Sequence, residues 1–269
     1  MAATSLAGIL KDKHVILTGS DSPLGQAIGR EFSAHGAKCC GIGRDSKGAH
    51  VTIKDYTDLQ GTQKAVQEAL QKLGGKVDIL VNCAGGLEKN MIGYDTMSKV
   101  LESNVVSAQM CSEELYPELK KSEAGGIINV ACAVGSLIPM PGDLMNYGVA
   151  KAGVMELTKG HALQFAPHVR VNAVCPGLFE GDEIMTVLAG GNKNKEKEMM
   201  ERAAKAMPLG RLGKPEGIAA AILYLAHQSY GTGQCLVLDS GASLTNWLNH
   251  PTLGLGKELF TAGEKKLKV

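Results

Sequence analysis

Two side chains in this sequence have the types and spacing of an acid-base pair. Tyr147 precedes Lys151 by four residues at the start of a long helical pattern, Met145-Asn-Tyr147-Gly-Val-Ala-Lys151-Ala-Gly153, and residues i and i+4 share one helix face. A phenol ordinarily titrates at about pH 10, too high for ready proton exchange at neutrality, and a neighbouring cation lowers that value by favouring the phenolate. The spacing alone is a weak signal, because Tyr-x-x-x-Lys also arises by chance on surface helices. The surrounding elements decide whether the two groups face a ligand.

Upstream, His14-Val-Ile-Leu-Thr18 reads as a short apolar strand ending in Gly19. After the turn Ser20-Asp-Ser-Pro-Leu-Gly25 a helical pattern runs to about His35, and Ala37 to Ile42 is a second strand. A βαβ start of about thirty residues is the size of a dinucleotide-binding unit. Gly19, Ser20, Ser22, Leu24 and Gly25 are the turn residues expected around a pyrophosphate, because glycine lets the backbone approach it and a helix N-terminus offers it N–H groups and a positive dipole end. Pro23 is tolerated in a first helical turn but removes one such N–H. At the end of the second strand stands Gly43 followed by Arg44, with no acid to hold a ribose 2′-hydroxyl; Arg44 suits a 2′-phosphate. NADP(H) is therefore preferred over NAD(H), pairing of Arg44 with Asp45 being the competing reading.

Only about six residues separate Arg44 from the run His50-Val-Thr-Ile-Lys54, too few for a complete crossover helix. Asp58 can cap a helix reaching about Leu73. Asp78 to Asn82 is a strand that ends in the small-residue turn Cys83-Ala84-Gly85-Gly86, the kind of place where open α/β sheets bind ligands. A long helical region, about Tyr94 to Lys120, carries Asn104, a poor mid-helix residue whose amide must bond backbone or ligand or else face solvent. Gly126 to Ala131 is the next strand, followed by a loop rich in Pro, Gly and Met, then the Tyr147 helix to about Phe165. Val169 to Val174 is a strand closed by Cys175-Pro176-Gly177.

Residues 178 to 207 break the alternation and read as a mobile lid, with a polar, flexible stretch at 189–198 and a short helix from Met199 to Met207. A helix from about Glu216 to His227 and a strand from Gln234 to Asp239 complete the series. Seven strand-like runs alternating with helices predict an α/β single-domain doubly wound Rossmann fold with a mainly seven-stranded parallel sheet. The core spans about 10–244, with an extension over 245–269. Pro139, Met140, Met145, Leu178 and the lid methionines predict a largely apolar pocket.

Composition excludes several alternatives. Twenty-eight basic and 27 acidic side chains give a net charge of +1, which does not favour nucleic-acid or membrane-surface binding. The seven cysteines form no CxxC or Cys/His ligand spacing, so neither a disulfide framework nor a metal site is expected. No apolar stretch approaches a membrane span, and the N-terminal run lacks a basic region before it. A cytoplasmic protein is expected.

Taken in order, Thr18-Gly19…Gly25, Asp55, Asn82-Cys-Ala84-Gly85, Asn104, Tyr147-x-x-x-Lys151, Pro176-Gly177 and Pro208-Leu-Gly-Arg-Leu-Gly…Pro215-Glu216 give the chain a likeness over about residues 10–244. It resembles the short-chain dehydrogenase/reductase family. The resemblance implies that Tyr147 protonates a substrate carbonyl oxygen as a nicotinamide delivers hydride, and acts in reverse as a base. Lys151 would hold the nicotinamide ribose and depress the pKa of Tyr147. Asn104 would kink its helix and hold a water in a proton relay. Asp55 would bond the adenine, Asn82, Ala84 and Gly85 would line the adenosine ribose side, and Val174 to Gly177, with Pro176, would edge the nicotinamide. The implied partners are a small carbonyl or alcohol substrate and further copies of the chain, as a tetramer or dimer.

Three departures accompany this likeness. Cys132 stands where the family places a serine that hydrogen-bonds the substrate oxygen, and a thiol is a much weaker donor; Ser136 is the nearby hydroxyl that would substitute. Pro23 replaces a turn glycine. Gly181 replaces a threonine that often holds the carboxamide. Besides the oxidoreductase reading, these departures leave open a nucleotide-binding sensor, scaffold or non-redox catalyst. A methyltransferase-like fold would leave Tyr147, Lys151 and Pro176-Gly177 without roles.

Overall fold

The computed structural model describes residues 8–46, 48–87, 94–133, 136–138 and 144–245. Seven strands, β1 His14–Thr18, β2 Lys38–Gly43, β3 Val51–Thr52, β4 Ile79–Asn82, β5 Gly126–Val130, β6 Arg170–Pro176 and β7 Cys235–Leu238, form one sheet in the order β3-β2-β1-β4-β5-β6-β7. Every pairing is parallel. The predicted sheet is the one observed. Strand order reverses between β1 and β4, which lie in register with Thr18 opposite Asn82, and such a switch point opens a crevice at the carboxyl ends of the strands.

Both faces of the sheet are covered, which explains why its strands read as near-continuous apolar runs. Val15, Leu17, Ile79 and Val81 face α1 (Pro23–Ala34) and α8 (Pro215–His227), packing on Phe32 and Ile222. Ile16, Leu80 and Ile127 face the other way, towards α2 (Leu59–Lys72) and α4 (Ser107–Leu119), against Val66 and Leu115. Among the described residues between β2 and β3 none is helical, as the short spacing predicted.

Two helical regions depart from the sequence reading in informative ways. The expected long helix with Asn104 at its middle is α3 (Tyr94–Leu101) and α4 joined by one π-helical turn, Glu102–Val106. The extra residue in that turn accommodates the amide of Asn104, and such bulges concentrate at functional sites. The second part of the polar stretch expected to be flexible, residues 193–198, is instead helical. It begins α7 (Lys193–Ala206), because Asn192 caps the helix by accepting from the N–H groups of Asn194 and Lys195, and the Lys and Glu residues that follow are good helix formers. With α6 (Glu183–Leu188), α7 buries Met199, Ala203 and Met185 in an apolar cluster with Leu178 and Cys132, over the carboxyl ends of β5 and β6.

The turn between β1 and α1 admits no side chain at its last position. A Cβ on Gly25 would collide with the Gly19 carbonyl oxygen and lie 2.8 Å from the Ser20 Cα. Gly25→Ala is expected to destabilise the protein by about 3 kcal/mol, read as a lower urea midpoint with an unchanged slope. No helix among the described residues is long and apolar enough to cross a membrane.

Candidate active site

A single cleft over the switch point runs from Arg44 and Asp55 at one end to Tyr147, Lys151, Asp182 and Ile184 at the other. Its floor is the close meeting of two turns. The Ala84 N–H donates to the Thr18 hydroxyl at 3.1 Å, and a Cβ on Gly19, whose φ is +69°, would lie 2.9 Å from the Ala84 nitrogen. Only glycine serves at position 19.

α5 (Met145–Phe165) carries Tyr147 and Lys151 into the cleft together, as the spacing predicted. Lys151 is 3% exposed and its ammonium donates to the Val130 carbonyl at 2.9 Å. Its Nζ lies 5.6 Å from the centroid of the Tyr147 ring. Burial lowers the pKa of Lys151 and holds that of Tyr147 well above its usual value, with the Cys132 sulfur and the Asp182 and Glu183 carboxylates adding to the rise. The expected depression of the Tyr147 pKa by Lys151 is not found: burial dominates, and the phenol keeps its proton.

Asn104 lies behind the cleft wall. Its amide donates to Val100 O (2.9 Å) and Gly86 O (3.1 Å), while its Oδ1 has no hydrogen-bond partner. A Cβ on Gly85 would strike that Oδ1 and come within 3.3 Å of Lys151 Nζ, so a vacant acceptor and the ammonium flank the same glycine. Cys132 lines the cleft beside Tyr147 and is in hydrogen-bond contact with it. Ser136 does not replace it: its hydroxyl turns back to donate to the Cys132 carbonyl.

The turn expected to hold a pyrophosphate is more self-satisfied than its sequence suggests. Gly19 N–H donates to the Tyr56 hydroxyl (2.8 Å), Ser20 N–H to Ile42 O, Ser22 N–H to Gly19 O and Gly25 N–H to the Ser22 hydroxyl. Ser22 serves as the N-cap of α1. Ser20 and Gly25 are buried on the far side of the turn, away from the cleft, since the Ser20 hydroxyl packs against Gly41. Leu24, Gly19 and Ser22 line the cleft. Asn82 is likewise corrected: its amide donates to Asn129 Oδ1 (2.9 Å) and Ser112 Oγ (3.1 Å) beneath the floor, leaving Ala84 and Gly85 as the lining residues of that turn. Pro176 edges the cleft, whereas Gly177 packs on Asp239. Of the residues expected to make the pocket apolar, Met145 is 53% exposed and Leu178 is buried below the wall; Pro139 and Met140 lie outside the described residues.

Three of the cleft residues that the sequence does not single out bear on the chemistry of the site. Tyr56 reaches from beyond β3 to bridge Gly19 N–H and Ile42 O (2.9 Å), a long-range contact with no local signature. Asp21 accepts from the Arg44 backbone N–H with Oδ2 (3.1 Å) and so brings a carboxylate to the strand end where a 2′-phosphate is expected. Asp182 caps α6, accepting from Ile184 N–H at 3.0 Å; an Asp ahead of a short apolar run is the signal that would have found it.

A glycine-bearing turn at a switch point, a helix N-terminus above it, and a Tyr-Lys pair at the far end thus share one cleft. The chain belongs to the short-chain dehydrogenase/reductase family, residues 19–243 matching the family model described as enoyl-(acyl carrier protein) reductase. It is 34% identical to a 3-oxoacyl-(acyl-carrier-protein) reductase of Chlamydia pneumoniae, over 86% of this chain and 97% of that protein. Among solved structures, the ligand-free aldohexose dehydrogenase of Thermoplasma acidophilum matches with a TM-score of 0.79 at 26% identity, covering 91% of this chain and 99% of that one. A 7α-hydroxysteroid dehydrogenase complexed with NADH and 7-oxoglycochenodeoxycholic acid matches at 0.75 and 26%, over 88% and 97%.

Proposed function

We propose that the chain interconverts a ketone or aldehyde and its alcohol with NADP(H), carried by the convergence of Tyr147 and Lys151 on the cleft that begins at the Gly19 turn. In the reducing direction the carbonyl compound, NADPH and a proton give the alcohol and NADP+. The cofactor, when bound, supplies or accepts the hydride. Tyr147 donates its phenolic proton to the carbonyl oxygen, and its raised pKa keeps that proton available. Lys151, fixed by Val130 O, holds ribose hydroxyls and compensates the phenolate left behind. Asn104, with its vacant Oδ1 near Lys151, positions the water that returns a proton.

At the other end Asp55 lies beside the adenine and Arg44 takes the 2′-phosphate. Asp21 opposes that phosphate. Asp21→Asn keeps the acceptor for Arg44 N–H and removes the charge, so it is expected to tighten NADPH about tenfold with little change for NADH, measured as two dissociation constants. Leu87, Phe179 and Ile184 on the cleft wall suit a largely apolar substrate. The reading also extends to a cytoplasmic homo-oligomer, dimer or tetramer, for which α5 presents exposed Val149 and Leu163. The decisive experiment is NADPH consumption against a broad ketone and aldehyde panel; turnover of no member overturns the assignment.

A second reading is favoured by Cys132 at the substrate-oxygen position and by the N–H groups the turn has already committed: a cofactor-binding chain that serves as a sensor, scaffold or non-redox catalyst.

A further inference from the structure

Asp182 is a buried carboxyl that the proton transfer proposed above leaves without a role. It is 7% exposed and lines the cleft at the end occupied by Tyr147, Lys151 and Pro176. One oxygen is committed to capping α6 through Ile184 N–H. The titratable groups that face it are Glu183 on its own helix, Tyr147 and Lys151 from α5, and Cys132 after β5. Burial is the main influence; the Ile184 backbone N–H opposes it most, Glu183 adds to the rise, and Lys151 and the Phe179 backbone oppose it less, so that the carboxyl is pushed up to about 7. It therefore changes charge in the neutral range.

The two redox forms of a nicotinamide differ in charge where this group sits. The oxidised ring is a cation and the reduced ring is neutral. We infer that Asp182 sets the preference of the site between oxidised and reduced cofactor, its ionised form holding the cationic ring and its protonated form accepting the neutral one. The inference rests on the cleft being a nicotinamide site.

A bound cation favours the carboxylate, so by linkage NADP+ binds more tightly as pH rises through about 7. A neutral ring covers the carboxyl without compensating its charge and favours the protonated form, so NADPH binds less tightly over the same range. The 2′-phosphate titrates nearby but is common to both forms and cancels in their ratio.

Calorimetric titration of the wild type and of Asp182→Asn with NADP+ and with NADPH, at about pH 6 and about pH 8, tests this directly. Asn retains an oxygen to accept from Ile184 N–H, so α6 keeps its cap. In the wild type the ratio of the NADP+ to the NADPH dissociation constant is expected to fall about tenfold or more across that interval, an effect of about 1.4 kcal/mol. In Asp182→Asn it is expected to stay flat. A ratio that does not move in the wild type, or moves equally in both proteins, overturns the inference while leaving the cofactor reading intact. Binding of neither form overturns both.

Discussion

Tyr147→Phe is expected to lower kcat for carbonyl reduction by about 10²- to 10⁴-fold, the range over which a positioned proton donor contributes, with the NADPH dissociation constant little changed. The substitution removes one oxygen and keeps the ring. The 5.6 Å approach of Lys151 Nζ to that ring and the Lys151 bond to Val130 O both survive it, so the loss isolates proton donation. The pH profile adds a second check. Desolvation holds the phenol well above its ordinary range, and the acid form is full at every pH below that raised value. Reduction should therefore show no loss attributable to Tyr147 up to about pH 10, the unperturbed phenol value. Equal turnover by Tyr147→Phe would remove the phenol from the mechanism.

Cys132→Ser carries the second large effect and moves in the opposite direction. The thiol lies on the cleft wall in contact with Tyr147, where a hydroxyl would hydrogen-bond a substrate oxygen and stabilise the charge that gathers on it. Supplying one such donor is expected to raise kcat/KM by about 100-fold, the amount lost when one is deleted. The side chain changes little in volume, and Ser136 is occupied with the carbonyl of residue 132, so it does not compete for the new role. Steady-state rates on the substrates found in the panel measure the outcome. An unchanged rate would favour the sensor, scaffold or non-redox reading, because a site no longer shaped for carbonyl reduction has no oxygen waiting for the donor.

The sequence made the sheet and the Tyr147-Lys151 juxtaposition legible because both rest on short-range regularities: apolar runs at strand length, glycines at turns, and a spacing of four on a helix. The residues that were misplaced depend on what approaches from a distance. Ser20 and Asn82 carry the side-chain types of a cofactor site, but β2 and β5 engage them from outside their own turns, while Gly25 packs on the Gly19 carbonyl within its own. Tyr56 took a donor that the turn alone left free. The polar stretch leading into α7 carries no apolar signal of a helix, and what starts one there is the Asn192 cap. Asp182 looks like any acidic loop residue until its burial is known.

The amide chain beneath the cleft bears on how α5 can rotate. Asn82 donates to Asn129, and Asn129 donates to the Thr158 hydroxyl at 2.9 Å. Thr158 follows Lys151 by seven residues (158 − 151), about two turns of helix, so both project from the same side. Lys151 is pinned to the end of β5 by Val130 O and Thr158 to its interior by Asn129. A helix held at two points two turns apart cannot roll by one residue without stranding a buried amide and a buried ammonium, each costing about 1–3 kcal/mol or more. The angular setting of Tyr147 is therefore indexed in discrete steps by the sheet, independently of whether anything fills the cleft above it.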